Sequence, residues 1–125
     1  MKLNQITLPV SDMQAAVAFY LSLGFLQIVD TPHYARFEDQ DGTASFSLSL
    51  EENAVNGAII YFEEEELDDW VHRLKEKGHI FLTEPETKSY LWREAMLEDP
   101  SGNKIKLYWA GENRLNPPWR VEIRE

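Results

Sequence analysis

Glu94, Lys106 and Tyr108 stand on two segments, "WREAML" and "KIKLYW", separated by the turn sequence "EDPSGN". If that turn closes a simple hairpin, Lys106 lies across from Met96 and diagonal to Glu94 and Glu98, close enough for charge pairing. Its ammonium then has three possible neighbours: water, a partner carboxylate or a ligand. Lys106 with Glu94, beside Tyr108, is also the acid–base set available for a metal-free reaction, because a buried lysine can lose enough basicity to act as a base. Cysteine is absent, which removes thiolate nucleophiles, disulfides and cysteine metal sites. His33 falls near a strand junction, His72 in a helix and His79 just after Gly78, positions that suit surface or hinge residues better than ligands. The acidic run Glu63 to Glu66 sits at a helix start, where carboxylates complement the helix dipole and stay solvated.

The chain has 125 residues, enough for one modest core, and is expected to form a single domain over 1–125. Hydrophobic residues make up 43% and aromatic residues 12%, which indicates a globular chain and not a disordered one. The formal net charge of −10 repels polyanions, and no cluster of Lys and Arg offers a phosphate-backbone surface. Nucleic acid is therefore not an expected partner. No charged stretch followed by an apolar run opens the sequence, and no apolar run is long enough for a bilayer, so no membrane association and a cytoplasmic location are expected.

Two half-chains share one plan. "LNQITLPV" alternates as a strand, Ser11 or Asp12 can cap the helix that follows, and "DMQAAVAFYLSLG" sets Met13, Ala16, Val17, Phe19, Tyr20 and Leu23 at helical spacing before Gly24. "FLQIVD", "YARFED" and "TASFSLSL" read as three more strands. In the second half "NGAIIYF" is a strand, and "EELDDWVHRLKEKG" is an amphipathic helix with Leu67, Trp70, Val71 and Leu74 on one face. "HIFL", "WREAML" and "KIKLYW" then supply three strands. Module one runs to about residue 53, module two from about 56 to 109, and a tail occupies 110–125. Pro117 and Pro118 stiffen that tail, and Trp119 can anchor it.

Alternation divides each strand into two faces. Ile6, Leu8 and Val10; Phe46, Leu48 and Leu50; Ile60 and Phe62; and Ile105, Leu107 and Trp109 form greasy faces expected under the helices. The opposite face carries Gln5 and Thr7, Ser45, Ser47 and Ser49, Ile59 and Tyr61, and Lys104, Lys106 and Tyr108. A one-sided antiparallel sheet ordinarily leaves such a face wet. Alternating small serines also leave volume, while Tyr61 and Tyr108 offer walls, so a concave sheet with this lining can hold a ligand.

The openings "LNQITLPVSDMQAAVAFYLSLGF" and "LEDPSGNKIKLYW" resemble the first and last signatures of the vicinal oxygen chelate superfamily, which includes glyoxalase I, extradiol dioxygenases and bleomycin-resistance proteins. The resemblance runs to about Trp109. It implies an α+β fold in which two tandem βαβββ modules form a curved mixed sheet around a concave cavity, with the helices on the outer face. In metal-dependent members, cavity-facing strand positions carry the metal ligands. Carried over, those positions fall on Gln5; on Ser47, or Ser49 if the register slips; on Ile59, or Gly57 or Ala58 with a shift; and on Lys106, where a glutamate is common. Glutamine occurs at the first position in some glyoxalases, but an ammonium in the shell opposes a divalent ion. No metal and no other cofactor are expected.

The resemblance thus implies a metal-independent small-molecule-binding protein of the bleomycin-resistance type, acting as a homodimer. Its expected ligand-binding residues are Gln5, Thr7, Ser45, Ser47, Ser49, Ile59, Tyr61, Trp92, Met96, Lys106 and Tyr108, with Tyr34 and Arg36 contributing if Ala35 and Phe37 face the helices. The alternative is a divergent glyoxalase-like lyase or dioxygenase-like enzyme, with Lys106 and Glu94 as catalytic candidates. An interaction module with a vestigial cavity is a third reading, in which the tail docks on a second subunit.

Overall fold

The computed structural model describes residues 1–124. Its elements run β1 (Gln5–Val10), α1 (Met13–Ser22), β2 (Leu26–Asp30), β3 (Tyr34–Glu38), β4 (Ser45–Leu50), β5 (Ile59–Glu63), α2 (Leu67–Glu76), β6 (Thr83–Thr87), β7 (Arg93–Glu98) and β8 (Lys104–Trp109), followed by a 3₁₀ turn at Gly111–Arg114. The expected single curved sheet resolves into two open four-stranded sheets ordered β1-β4-β3-β2 and β5-β8-β7-β6. The identical order is what a duplicated βαβββ module produces, since each module uses its own strand edges first. Two compact units result: residues 1–59 with 98–104, and residues 60–97 with 105–124.

Local chemistry explains the two helices. Asp12 caps α1 by accepting from the Ala15 amide at 3.1 Å, which satisfies one of the donors a helix start leaves free. Both helices end alike. Gly24 takes φ 104° and Gly78 takes φ 99°; their amides bond to the Leu21 and Lys75 carbonyls, while Phe25 and His79 reach back to Tyr20 and Leu74. These paired bonds close the last turns, and a left-handed residue is what they require. α2 lacks a side-chain cap and instead carries Asp68 and Asp69 in its first turn and Arg73 and Lys75 in its last, each sign matching the dipole.

In the first unit β1 pairs with β4 in parallel, Gln5 beside Ser45 and Thr7 beside Ser47. β4 pairs with β3 in antiparallel fashion, setting Arg36 beside Ser47. α1 covers one face of this sheet, and Tyr20, Phe37 and Phe46 pack there with ring centroids 5.1 to 5.9 Å apart. Leu8, Val10, Leu48 and Ala35 complete the buried side, as alternation predicts. Ile6, Leu50 and Trp109, expected in the same layer, lie at strand ends and are 36 to 38% exposed.

The second strand of module two is displaced from its expected place. "HIFL" is not extended; Ile80 and Leu82 are exposed, and the strand is the following "TEPET". Pro85 is tolerated there because β6 is a sheet edge whose register with β7 shifts between Thr83 and Glu86. Trp119 is 55% exposed and does not anchor the tail.

The turn between β7 and β8 belongs to the first unit. Asp99, 5% exposed, accepts the Ser101 and Asn103 amides on Oδ1 at 2.9 Å each. Its Oδ2 accepts Tyr20 OH and Asn103 Nδ2 at 2.8 Å each. Asn103 also donates to the Pro9 carbonyl at 2.8 Å and accepts from Asn56 at 3.1 Å. Burial beside this carboxylate pushes the Tyr20 phenol far up, so it stays a donor at all ordinary pH. Tyr20→Phe should therefore destabilise by about 2 kcal/mol, a hydrogen bond to a charged acceptor, and Asp99→Ala by about 3 kcal/mol or more, since it strands several buried donors. Urea unfolding of both variants checks this, and an unchanged midpoint in Tyr20→Phe would remove Asp99 as an organising centre.

Candidate functional site

In the second unit, Lys106 is the third residue of β8 and Glu94 the second of β7. Lys106 Nζ lies 3.0 Å from Glu94 Oε1, with the two side chains 16% and 5% exposed. The partner-carboxylate outcome for Lys106, open from the sequence, is the one the fold adopts. Tyr90 OH donates to the same Oε1 at 2.5 Å. Glu94 Oε2 is buried and has no hydrogen-bond partner among the described residues, a costly condition for a carboxylate oxygen. Burial pushes the Lys106 ammonium down, but the hydrogen bond and charge of Glu94 outweigh it, and the net shift is upward. The lysine therefore holds its proton and is not itself a free base.

Tyr61 and Tyr90 adjoin this pair and join Trp92 and Tyr108 in an aromatic cluster. Trp92 stacks on Tyr108 at 4.7 Å and 20°, Tyr61 meets both edge-on at 5.9 and 5.5 Å, and Tyr90 meets Trp92 at 6.2 Å. Lys106 Nζ stands 5.6 Å from the Tyr61 ring centre, within cation–π range. Trp92 is half-buried, its indole N–H donating to the Asn113 carbonyl at 3.2 Å. Tyr108 is only 6% exposed and Tyr61 is 41% exposed, so Tyr61 presents the accessible ring. Burial pushes the Tyr108 phenol up, reinforced by Glu63. Tyr90, which sequence reasoning missed, reaches Glu94 across a turn where Leu91 takes φ 70°, an uncommon value for a branched side chain.

The first unit carries a different polar cluster. Gln5 Nε2 donates to Ser47 Oγ at 2.7 Å, and Gln5 Oε1 accepts from Ser45. Ser47, fully buried, also bonds to Tyr34 OH. Arg36 donates to the same phenol oxygen from Nε at 3.1 Å and Nη2 at 2.9 Å. The Ser47 bond lowers the Tyr34 pKa, burial works against it, and Arg36 adds to the lowering. Ser49 is engaged with Glu51 at 3.0 Å, Thr7 is exposed, and Ile59 and Met96 are half-buried.

These positions do not fit a divalent ion. Gln5 has both amide atoms committed to serines, Ile59 has no donor atom, and Lys106 brings a cation instead of a carboxylate. No group of three or more His, Asp and Glu among the described residues is arranged to hold one. The acidic run lies elsewhere: Glu65, Glu66, Leu67, Asp68 and Asp69 line a cleft of about 250 Å³ with Arg93 and Trp109. Arg93 closes part of it with a two-pronged bond to Asp68 at 2.8 and 2.9 Å, which holds that carboxyl below its ordinary range. None of the expected ligand-binding residues lines this cleft.

Paired βαβββ modules with polar groups on the sheet positions that oppose the helices define the class of protein. Residues 2–107 match the Glyoxalase/Bleomycin resistance protein/Dioxygenase superfamily, and the chain belongs to that family. Among solved structures, a lactoylglutathione lyase from Agrobacterium tumefaciens has a TM-score of 0.75 at 18% identity, covering 86% of this chain and 92% of its own. A superfamily member from Sphaerobacter thermophilus gives 0.74 at 25% identity, covering 87% and 97%. A bleomycin-binding protein in complex with bleomycin gives 0.69 at 18% identity, covering 87% and 98%. No curated protein matches the sequence. No helix among the described residues is long and apolar enough to cross a membrane.

Breaking the Lys106–Glu94 pair tests its burial. Lys106→Met should cost about 3 kcal/mol, because it leaves Glu94 buried and uncompensated, and Glu94→Gln should cost about 2 kcal/mol. The double variant should cost less than the sum of the two. A cost below about 0.5 kcal/mol for Lys106→Met would mean the pair is solvated. Because the folded state raises the Lys106 pKa above its ordinary 10.5, this contribution is intact below that pH and is lost as pH rises through the folded value. The alkaline loss of stability should therefore be smaller in Lys106→Met, read by urea unfolding across that range.

Proposed function

We propose that this chain is a metal-independent small-molecule-binding protein, similar in role to the bleomycin-binding member of its superfamily. The observation that carries the reading is the Lys106 ammonium, tied to Glu94 at the strand position where metal-dependent relatives place a carboxylate. Such a cation repels a divalent ion, and its aromatic neighbours suit an organic ligand. Exposed Tyr61 supplies a ring face to a planar group, backed by Tyr108 and Trp92. The buried orphan Glu94 Oε2 would gain most from a ligand N–H or O–H. Gln5, Thr7, Ser45, Ser47, Ser49, Ile59 and Met96 complete the proposed ligand-contacting set. The net charge of −10 favours neutral or cationic ligands over polyanions and sets nucleic acid aside. A cytoplasmic homodimer completes the proposal.

An enzymatic role is less well supported, because the upward shift at Lys106 leaves it protonated where a general base must be free. The deciding experiment is elemental analysis after dialysis against nickel, zinc, manganese and iron, followed by thermal-shift measurements with bleomycin and a panel of planar aromatic compounds. The protein should remain metal-free, at least one compound should raise Tm, and Tyr61→Ala should remove that shift. Stoichiometric metal accompanied by lyase or oxygenase turnover would overturn the reading. A ligand shift that survives Tyr61→Ala would place binding away from the aromatic face.

A further inference from the structure

The chain contains its own internal comparison. β4 and β8 hold the same place in their sheets, as do β3 and β7. The third residue of β4 is Ser47, bonded to Tyr34 on β3; the third residue of β8 is Lys106, bonded to Glu94 on β7. Each module brings one cation to this spot. The second module neutralises Lys106 with a buried carboxylate. The first brings Arg36, and the only side-chain acceptor it meets among the described residues is the Tyr34 phenol oxygen.

No carboxylate among the described residues lies within ion-pair distance of Arg36. This holds in a chain with 22 acidic and 12 basic side chains, where acidic partners are plentiful. Glu38 is two residues on along the same strand face, but its Oε2 points toward the turn at Gly42, 3.9 Å from where a Cβ there would sit. Arg36 is half-buried and its centre lies 5.3 Å from the Tyr34 ring. The two bonds to one phenol oxygen fix the guanidinium plane and leave Nη1 without an acceptor among the described residues. A fixed, weakly hydrated fork with an unfilled edge matches an oxyanion in shape and charge.

We propose that Arg36, held by Tyr34 and Ser47, is an anion seat on the first sheet that binds a carboxylate or phosphate group of a small-molecule ligand. The external anion completes Arg36 as Glu94 completes Lys106. Tyr34 and Ser47 act as positioning residues that aim the fork. This rests on the small-molecule reading above and adds to it the charge of one ligand group, which the overall negative charge of the chain would not suggest.

The test follows the Arg36 Nε–H resonance by NMR while full-length protein is titrated with benzoate and, separately, with inorganic phosphate. A saturable shift with either probe is expected, and the stronger probe identifies which oxyanion the seat prefers. Followed instead by the backbone amide resonances of β3 and β4, which every variant retains, Arg36→Gln should weaken that binding at least about tenfold, and Arg36→Lys should give an intermediate loss, because a point charge lacks the fork. Binding undiminished in Arg36→Gln overturns the proposal, as does the absence of a saturable shift from both probes. If Arg36→Gln does not fold, unchanged affinity in Arg36→Lys overturns the fork geometry. Failure here with a positive aromatic-compound shift lost in Tyr61→Ala would leave the small-molecule reading standing. The reverse pattern would leave the anion seat and remove the aromatic face.

Discussion

Four donors converge on the Asp99 carboxylate in a site almost closed to water: two turn amides, the Asn103 side chain and the Tyr20 hydroxyl. A buried carboxylate is costly unless every lone pair is used. Here the donors come from the turn itself and from the last turn of α1, 79 residues away in sequence. Satisfying Asp99 therefore fixes the β7–β8 turn and the seating of α1 together. The aromatic packing of Tyr20 with Phe37 and Phe46 extends the same constraint into the first sheet. Because the turn sets the relation of β7 to β8, it also settles which residues of those strands meet, Lys106 and Glu94 among them.

The two modules place different chemistry on a shared scaffold. One position carries a lysine closed by a glutamate and ringed by aromatics; its counterpart carries serine, with a tyrosine and an arginine alongside. Neither arrangement supplies the neutralising donors that a divalent ion requires. Fold membership alone does not decide activity, and the superfamily is a case in point.

Much of this was legible in the sequence, and the reason is locality. The α1 cap, both helix-ending glycines, the hairpin turn and the alternating strands are encoded within a few residues, and they appear where the pattern puts them. Hairpin geometry put Lys106 within reach of Glu94 or Glu98, and the fold selects Glu94. β6 was misplaced because apolar "HIFL" outweighs "TEPET" by composition, whereas an edge strand can accept Pro85 and a register shift. Tyr90 was missed because its reach to Glu94 depends on a left-handed Leu91 that no composition rule foresees. The burial of Asp99 was equally hidden. A turn aspartate is ordinarily wet, and only the folded chain brings the Tyr20 hydroxyl to it.

The assignment of residues 98–104 to the first compact unit bears on where this chain can be divided. The apparent joint in the sequence lies near residues 53–56, but a chain cut there would give a first fragment whose Tyr20 hydroxyl faces no acceptor and whose Pro9 carbonyl lacks its Asn103 donor. The second fragment would carry those partners away in its turn. Split-protein reporters and domain-shuffling designs based on this scaffold must therefore supply the 98–104 turn to the first piece, whose Tyr20 and Pro9 it satisfies.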